Sequence, residues 1–197
     1  MSALAGRVLQ LADDIWTVDG ALDPAECAAW ITWGEAQGFE EAPVTTGHGP
    51  EMRKDIRNNS RVMADLPELA EGLWQRLRGV VPADWEGRAP VGVNERLRLY
   101  RYDPGQRFAA HFDGYFRRPT GEKSELTLMV YLNDGFEGGE TTFYGSWRNY
   151  PDRPYVRAVP RRGRALLFRH HLLHEGTPVL SGRKYALRTD VMYGARQ

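Results

Sequence analysis

The chain has 197 residues and a mass of 22.4 kDa, the size of one domain that can bury a core without metal or disulfide staples. Apolar residues are 42% and charged residues 26%, which excludes the disordered and fibrous classes. Lys plus Arg and Asp plus Glu number 26 each, and a formal charge of zero argues against nucleic acid as a partner.

The start, MSALAGRVLQLADDIW, is broken by Arg7, Asp13 and Asp14, so it does not read as a secretory signal. No apolar run is long enough for a membrane span. Cys27 is the single cysteine, which excludes an internal disulfide and a cysteine-based zinc site. These features predict a soluble, cytoplasmic protein. Asp23-Pro24-Ala25-Glu26 supplies an N-cap, a proline at the first helical position and a capping-box acid. A helix follows, with Cys27, Trp30, Ile31 and Gly34 on one face and Gly38 as its C-cap. Residues 42–60 carry Gly, Pro, Asn and charge without a period and read as a long loop. A second helix is predicted from Asp65 to about Arg78, with Leu66, Leu69, Leu73, Trp74 and Leu77 on one side.

From about residue 93 the pattern becomes β. Strands are expected at 95–102, 126–132, 141–143, 155–159, 165–168 and 184–193, short and separated by Gly, Pro, Asn and Asp turns. The whole reads as one domain over 1–197, with 1–92 a helical support region and 93–197 the core. Its class is mainly β with N-terminal helices (α+β), closed as a small barrel or jelly roll.

His111-Phe112-Asp113 follows Pro104-Gly105, and alternation along a strand puts His111 and Asp113 on one side. His174 comes after the apolar strand Ala165-Leu166-Leu167-Phe168. Two imidazoles and a carboxylate on one face of a metal are the facial triad of non-haem iron(II) oxygenases. A surface turn with a chance histidine would give the same letters, so the spacing alone is a weak signal.

Further motifs strengthen it. Tyr102-Asp103-Pro104-Gly105-Gln106, Val130-Tyr131-Leu132-Asn133-Asp134, Glu137-Gly138-Gly139-Glu140-Thr141 and the stretch from His174 through Gly176, Pro178 and Val179 to Lys184 all occur in order. With His111-Phe112-Asp113, these motifs resemble the prolyl-4-hydroxylase-like family of iron(II)- and 2-oxoglutarate-dependent dioxygenases, from about Leu97 to Tyr193. The resemblance implies a double-stranded β-helix, iron held by His111, Asp113 and His174, and O2 as a reactant. It implies 2-oxoglutarate held at its far carboxylate by Lys184, with the Tyr131 hydroxyl sharing that group and Tyr102 near the iron-proximal end. Ascorbate would be stimulatory. The substrate would be a peptidyl proline or a small amino-acid-like metabolite. A carboxylate at Asp113 supports hydroxylation over halogenation. A cupin-like metal enzyme without 2-oxoglutarate and a non-catalytic binding module on the same barrel are the rival readings.

His171 lies three residues before His174 and competes as the ligand; the Gly-x-Pro-Val that follows favours His174. His170 and His171 then read as supporting or exposed groups, and His48 as an exposed loop residue. Arg188 lies four residues after Lys184, so both point the same way on a strand. A buried arginine needs an anion, which makes Arg188 a second candidate for the cosubstrate, for a substrate carboxylate, or for a nearby acid. In the family that the motifs resemble, the loop corresponding to the polar segment 57–61 often approaches the active-site mouth, which makes Arg57, Asn59 and Arg61 candidate substrate contacts, with a solvated loop the equal alternative. Trp147, Tyr150 and Tyr155 are candidate lid residues, with simple packing the equal alternative. Glu137-Gly138-Gly139-Glu140 reads as a tight turn or bulge.

Overall fold

A computed structural model describes residues 7–146 and 155–195. In chain order the elements are β1 (Val8–Ala12), β2 (Ile15–Val18), α1 (Pro24–Gln37), β3 (Glu40–Glu41), β4 (Val44–Thr46), β5 (Gly49–Glu51), β6 (Ser60–Asp65) and α2 (Pro67–Leu77). They continue with β7 (Pro90–Val93), β8 (Arg96–Tyr102), β9 (Phe108–His111), β10 (Lys123–Tyr131), β11 (Glu137–Gly138) and β12 (Thr141–Ser146). The last are β13 (Val156–Ala158), β14 (Ala165–Arg169), β15 (Leu172–Gly176), β16 (Val179–Ser181) and β17 (Lys184–Tyr193).

A large antiparallel sheet runs β1-β2-β14-β10-β17-β8-β6-β3, with β7 also paired to β17. A smaller sheet runs β13-β12-β15-β9. The expectation of a mainly β protein with two N-terminal helices holds. Residues before 92 are not chiefly helical, however: β1, β2, β3, β6 and β7 all join the large sheet. Strands β1 and β2 pair through Ile15, Trp16, Thr17 and Val18, and Asp14 takes positive φ at the turn between them. The stretch 42–60 is not a plain loop either, because β4 and β5 form a hairpin within it.

Strands β10 and β17 show how the chain divides its core. Leu126, Leu128 and Val130 alternate with Thr127, Met129 and Tyr131, and Tyr185, Leu187 and Val191 alternate with Lys184, Ala186, Arg188 and Asp190. The first set of each joins one apolar cluster with Cys27 and Trp30 of α1 and Leu73 and Leu77 of α2. The second set faces the smaller sheet, where Ile15, Tyr131, Phe143, Leu166, Phe168 and Ala186 pack together. Both faces of the large sheet are therefore covered, one by helices and one by the smaller sheet, and the ionisable residues sit on the second.

Helix α1 keeps its expected start. The Asp23 side chain accepts from the Glu26 N–H at 2.8 Å and the Glu26 carboxylate accepts from the Asp23 N–H at 2.9 Å, a reciprocal capping box. Helix α2 begins at Pro67 and buries Ala70, Leu73 and Leu77. Leu69 is exposed, because the inward stripe is centred on Ala70 rather than on the larger neighbour.

Gly34 marks the closest approach of α1 to the sheet: a Cβ there would overlap the side chain of Leu99 on β8. Leu99 is fully buried and has nowhere to retreat. An exposed helical Gly→Ala change gains about 0.5–1 kcal/mol. Overpacking costs about 1–3 kcal/mol and wins here. Gly34→Ala should therefore lower unfolding stability in a denaturant titration; a stabilised variant would contradict this packing.

Candidate active site

The smaller sheet brings two histidines face to face. His111 ends β9 and His174 lies in β15, directly opposite each other in the antiparallel register. Their rings are 4.3 Å apart between centroids. Each Nδ1 donates to a backbone carbonyl, His111 to Ala109 at 2.8 Å and His174 to Leu172 at 2.9 Å. That fixes the tautomer and leaves each Nε2 lone pair free for a metal. Asp113 joins them, with its Oδ1 3.7 Å from His111 Nε2 and its Oδ2 3.6 Å from His174 Nε2. The three donor atoms lie within 4.8 Å of one another. Two neutral imidazoles and a carboxylate on one side of a point fit a divalent iron with open positions opposite.

Asp113 is tied to the large sheet. Thr127 Oγ1 on β10 donates to its Oδ2 at 2.5 Å, and Arg188 on β17 pairs with its Oδ1 at 3.0 Å. Burial would raise the Asp113 carboxyl, but Arg188, His174 and His111 hold it well below the usual carboxylate range. Burial and the neighbouring His111 push His174 down to about 3. Asp113 and His174 are thus in their metal-binding protonation states at neutral pH. His171 is exposed and stands apart from this group. His170 is buried, with Nε2 3.6 Å from Asp190. His48 is exposed in the β4–β5 turn.

An inner cavity opens from the triad along β8 and β17. Tyr100, Tyr102, Met129, Thr141, Lys184 and Arg188 contribute to its wall. Lys184 is 2% exposed. Its Nζ donates to the Gly139 carbonyl at 2.6 Å and lies 5.0 Å from the centre of the Tyr102 ring. Among the described residues no carboxylate is within ion-pair distance of it. Burial pulls its pKa down to about 8, and Glu140 only partly opposes this. Gly138 and Gly139 both adopt positive φ, which turns the chain so that the Gly139 carbonyl meets the lysine. Arg188, by contrast, is already balanced by Asp113 and Asp190. A buried, uncompensated cation at one end of a cavity and a metal triad at the other fit a dicarboxylate such as 2-oxoglutarate.

Tyr131 departs from its expected place. It is fully buried but not on the cavity wall, and its hydroxyl bonds Thr141 Oγ1 at 2.8 Å. Thr141 is the hydroxyl that faces the cavity, oriented from behind by Tyr131. Arg57 and Asn59 are buried rather than solvated. Arg57 Nε donates to Asn59 Oδ1 at 2.7 Å. The Arg57 guanidinium lies between the Tyr100 and Phe108 rings, 4.6 and 4.4 Å from their centres. Phe108 in turn stacks on His111 at 3.5 Å. Asn59 turns away from the cavity to bond the Ser60 carbonyl, while Arg61 is half-buried. Tyr155 is exposed; Trp147 and Tyr150 lie outside the described residues.

Thr127, Tyr100 and Phe108 were not singled out from the sequence. Only Thr127 carried a signal, as a hydroxyl in an otherwise apolar strand. Removal of a group that orients a metal ligand costs about 10–100-fold in affinity. Thr127→Val should therefore weaken Co(II) binding by that factor, His174→Ala should abolish it, and His171→Ala should leave it unchanged, all read by calorimetry. Loss of binding in His171→Ala with retention in His174→Ala would overturn the ligand assignment.

The model of the 2OG-Fe(II) oxygenase superfamily matches residues 97–189. Among curated proteins, probable prolyl 4-hydroxylase 8 of Arabidopsis thaliana is 30% identical over 189 residues, 82% of this chain and 62% of that one. Probable prolyl 4-hydroxylase 3 of the same plant is 30% identical over 120 residues, 49% of this chain and 42% of that one. The chain thus spans about two fifths to three fifths of these relatives' length. Among solved structures, the viral collagen prolyl hydroxylase of Paramecium Bursaria Chlorella virus-1, in complex with 2OG, superposes with a TM-score of 0.61 at 20% identity. That match covers 92% of this chain and 97% of the viral one. A prolyl hydroxylase from Trichoplax adhaerens, in complex with a hypoxia inducible factor peptide fragment, gives 0.66 at 16% identity over 91% and 84% of the two chains. The matched segment runs from β8 to β17 and contains all three metal-site donors and Lys184, and over that segment the chain is similar to the 2OG-Fe(II) oxygenase superfamily.

Proposed function

We propose that the chain is an Fe(II)- and 2-oxoglutarate-dependent dioxygenase of prolyl-4-hydroxylase type that hydroxylates a peptidyl proline. The observation that carries this reading is Lys184, a buried cation with no carboxylate in ion-pair range among the described residues, on the same cavity wall as the metal triad. A metal enzyme without a keto acid would leave that charge unexplained, and a non-catalytic barrel would have no need of the triad.

In this reading His111, Asp113 and His174 hold iron, and the bound iron and cosubstrate supply the oxidant for an unactivated C–H bond, with O2 as oxygen source. Lys184 pairs with the far carboxylate of 2-oxoglutarate, assisted by the Thr141 hydroxyl. Arg188 keeps Asp113 ionised and oriented. Tyr102, Met129 and Phe168 keep water from the chamber. Asp113 is also part of a second, open groove of about 450 Å³, shared with Phe112, Tyr115, His170 and His171. Exposed Phe112 and Tyr115 line this groove and suit a peptide approaching the metal. The relatives named for prolyl hydroxylation support the peptidyl choice over a free metabolite.

The direct test is incubation of a proline-containing peptide with iron(II), 2-oxoglutarate, ascorbate and O2, following succinate and a gain of one oxygen by mass spectrometry. Failure of the iron-loaded protein to release succinate would refute the dioxygenase reading. Breaking a buried pair costs about 3–5 kcal/mol, so Lys184→Ala should weaken 2-oxoglutarate binding by roughly a hundredfold or more. Without cosubstrate Lys184 titrates at about 8. The dianion requires the protonated amine, so affinity should hold below that pH and fall as pH rises through it, by about tenfold per unit. A flat profile between pH 7 and 9 would rule Lys184 out.

A further inference from the structure

The wall around Tyr100 carries more positive charge than the proposed chemistry uses. Tyr100 on β8 lines the inner cavity. Arg61 on β6 is its direct cross-strand partner, and the next pair on that face is Met63 with Arg98. Directly paired residues share a face, so Arg61 and Arg98 stand on the same face of the large sheet as Tyr100, beside the cavity. Arg57 lies over the Tyr100 ring, and Arg188 acts on its hydroxyl from β17. Burial raises the Tyr100 phenol, yet Arg57, Arg188 and Arg98 together bring it down to about 8.

Four guanidiniums thus surround one phenol. Among the described residues, the acids within ion-pair distance of them are Asp113 and Asp190. Arg98 and Arg188 share Asp190, at 3.3 Å each, and Asp113 belongs to the metal. Arg57 is 4% exposed and its Nη2 is buried with no hydrogen-bond partner. Arg61 is half-buried and, among the described residues, makes no ion pair; Glu40 lies opposite it on β3 but is exposed and out of ion-pair range. In a chain of zero formal charge, a local surplus of desolvated cations needs an anion from outside. The far carboxylate of 2-oxoglutarate is already matched by Lys184, two residues before Ala186, which pairs with Tyr100.

We propose that the substrate carries a carboxylate near the carbon to be hydroxylated, and that Arg61, backed by Arg57, binds it beside Tyr100. This rests on the dioxygenase reading and narrows its substrate to an acidic one. A carboxylate can come from an acidic side chain next to the proline or from a free C-terminus.

Two pairs of end-defined peptides separate these sources: Pro followed by Glu against Pro followed by Gln with both ends blocked, and a C-terminal proline acid against its amide. Binding is measured by calorimetry on the protein loaded with manganese(II) and 2-oxoglutarate, which also reports the cosubstrate independently of turnover. At least one acidic member should bind tenfold or more tightly than its neutral twin. Arg61→Gln should bring that ratio to about one, and Arg61→Lys should restore part of it. Equal binding of acid and neutral twins overturns the proposal. So does an Arg61→Gln variant that keeps the ratio, or one that loses 2-oxoglutarate affinity instead, since the cluster would then serve the cosubstrate. If 2-oxoglutarate itself does not bind the wild type, the dioxygenase reading falls, while the acid-to-neutral ratio still decides whether this anion site exists.

Discussion

The carboxylate of Asp113 is where the two sheets of this protein are joined electrostatically. It stands just beyond β9 of the smaller sheet, yet its oxygens are held by Thr127 and Arg188 of the large sheet. The two histidines complete its surroundings from β9 and β15. A desolvated carboxylate survives only if its attraction to neighbours exceeds the cost of leaving water. Here the Thr127 hydroxyl and the Arg188 guanidinium supply that attraction. Separation of the sheets would strand the charge, so the site and the closure of the barrel depend on the same contacts.

Strand β17 carries the consequence along its length. Its alternate residues send Tyr185, Leu187 and Val191 into the helix-backed core and Lys184 and Arg188 into the chamber, with Asp190 on the same face. Burying three charges on one strand face would be ruinous if all were alike in environment. They differ: Arg188 and Asp190 neutralise each other beside the triad, and Lys184 stands apart with a carbonyl. On the proposed function, one cation holds a ligand carboxylate of the chain and the other receives a carboxylate from solution.

Much of this was legible in the chain's letters. The capping box at Asp23 and Glu26 is a local device, and it forms where its spacing says. The strands from β8 to β17 that alternate strictly are found within a few residues of expectation, and the three metal-site donors converge as their motif implied. Strands β1 and β2 were hidden because their charges, Asp13 and Asp14, sit in the turn and break the apolar run. The hairpin in 42–60 was hidden because Pro50 and the glycines around it disguise strands of three residues. Leu69 misled because a leucine outweighs Ala70 in any reading of hydrophobicity, whereas geometry buries the alanine.

The sequence by itself determined the chemistry on offer: which residues can ligate iron, that Lys184 and Arg188 are the two cations on one face of a strand, and which faces of β10 and β17 are apolar. These follow from residue type and from period-two alternation, both properties of short stretches of chain. Only the tertiary structure decided who partners whom. The separation of Lys184 from Arg188 in role depends on Asp113 and Asp190, and the withdrawal of Tyr131 behind Thr141 depends on β10 and β12 facing across the barrel. The enclosure of Arg57 between Tyr100 and Phe108 depends on three segments distant in sequence. A charge's function is set by the groups within a few ångströms, and long-range antiparallel pairing, which no local pattern encodes, chooses those groups.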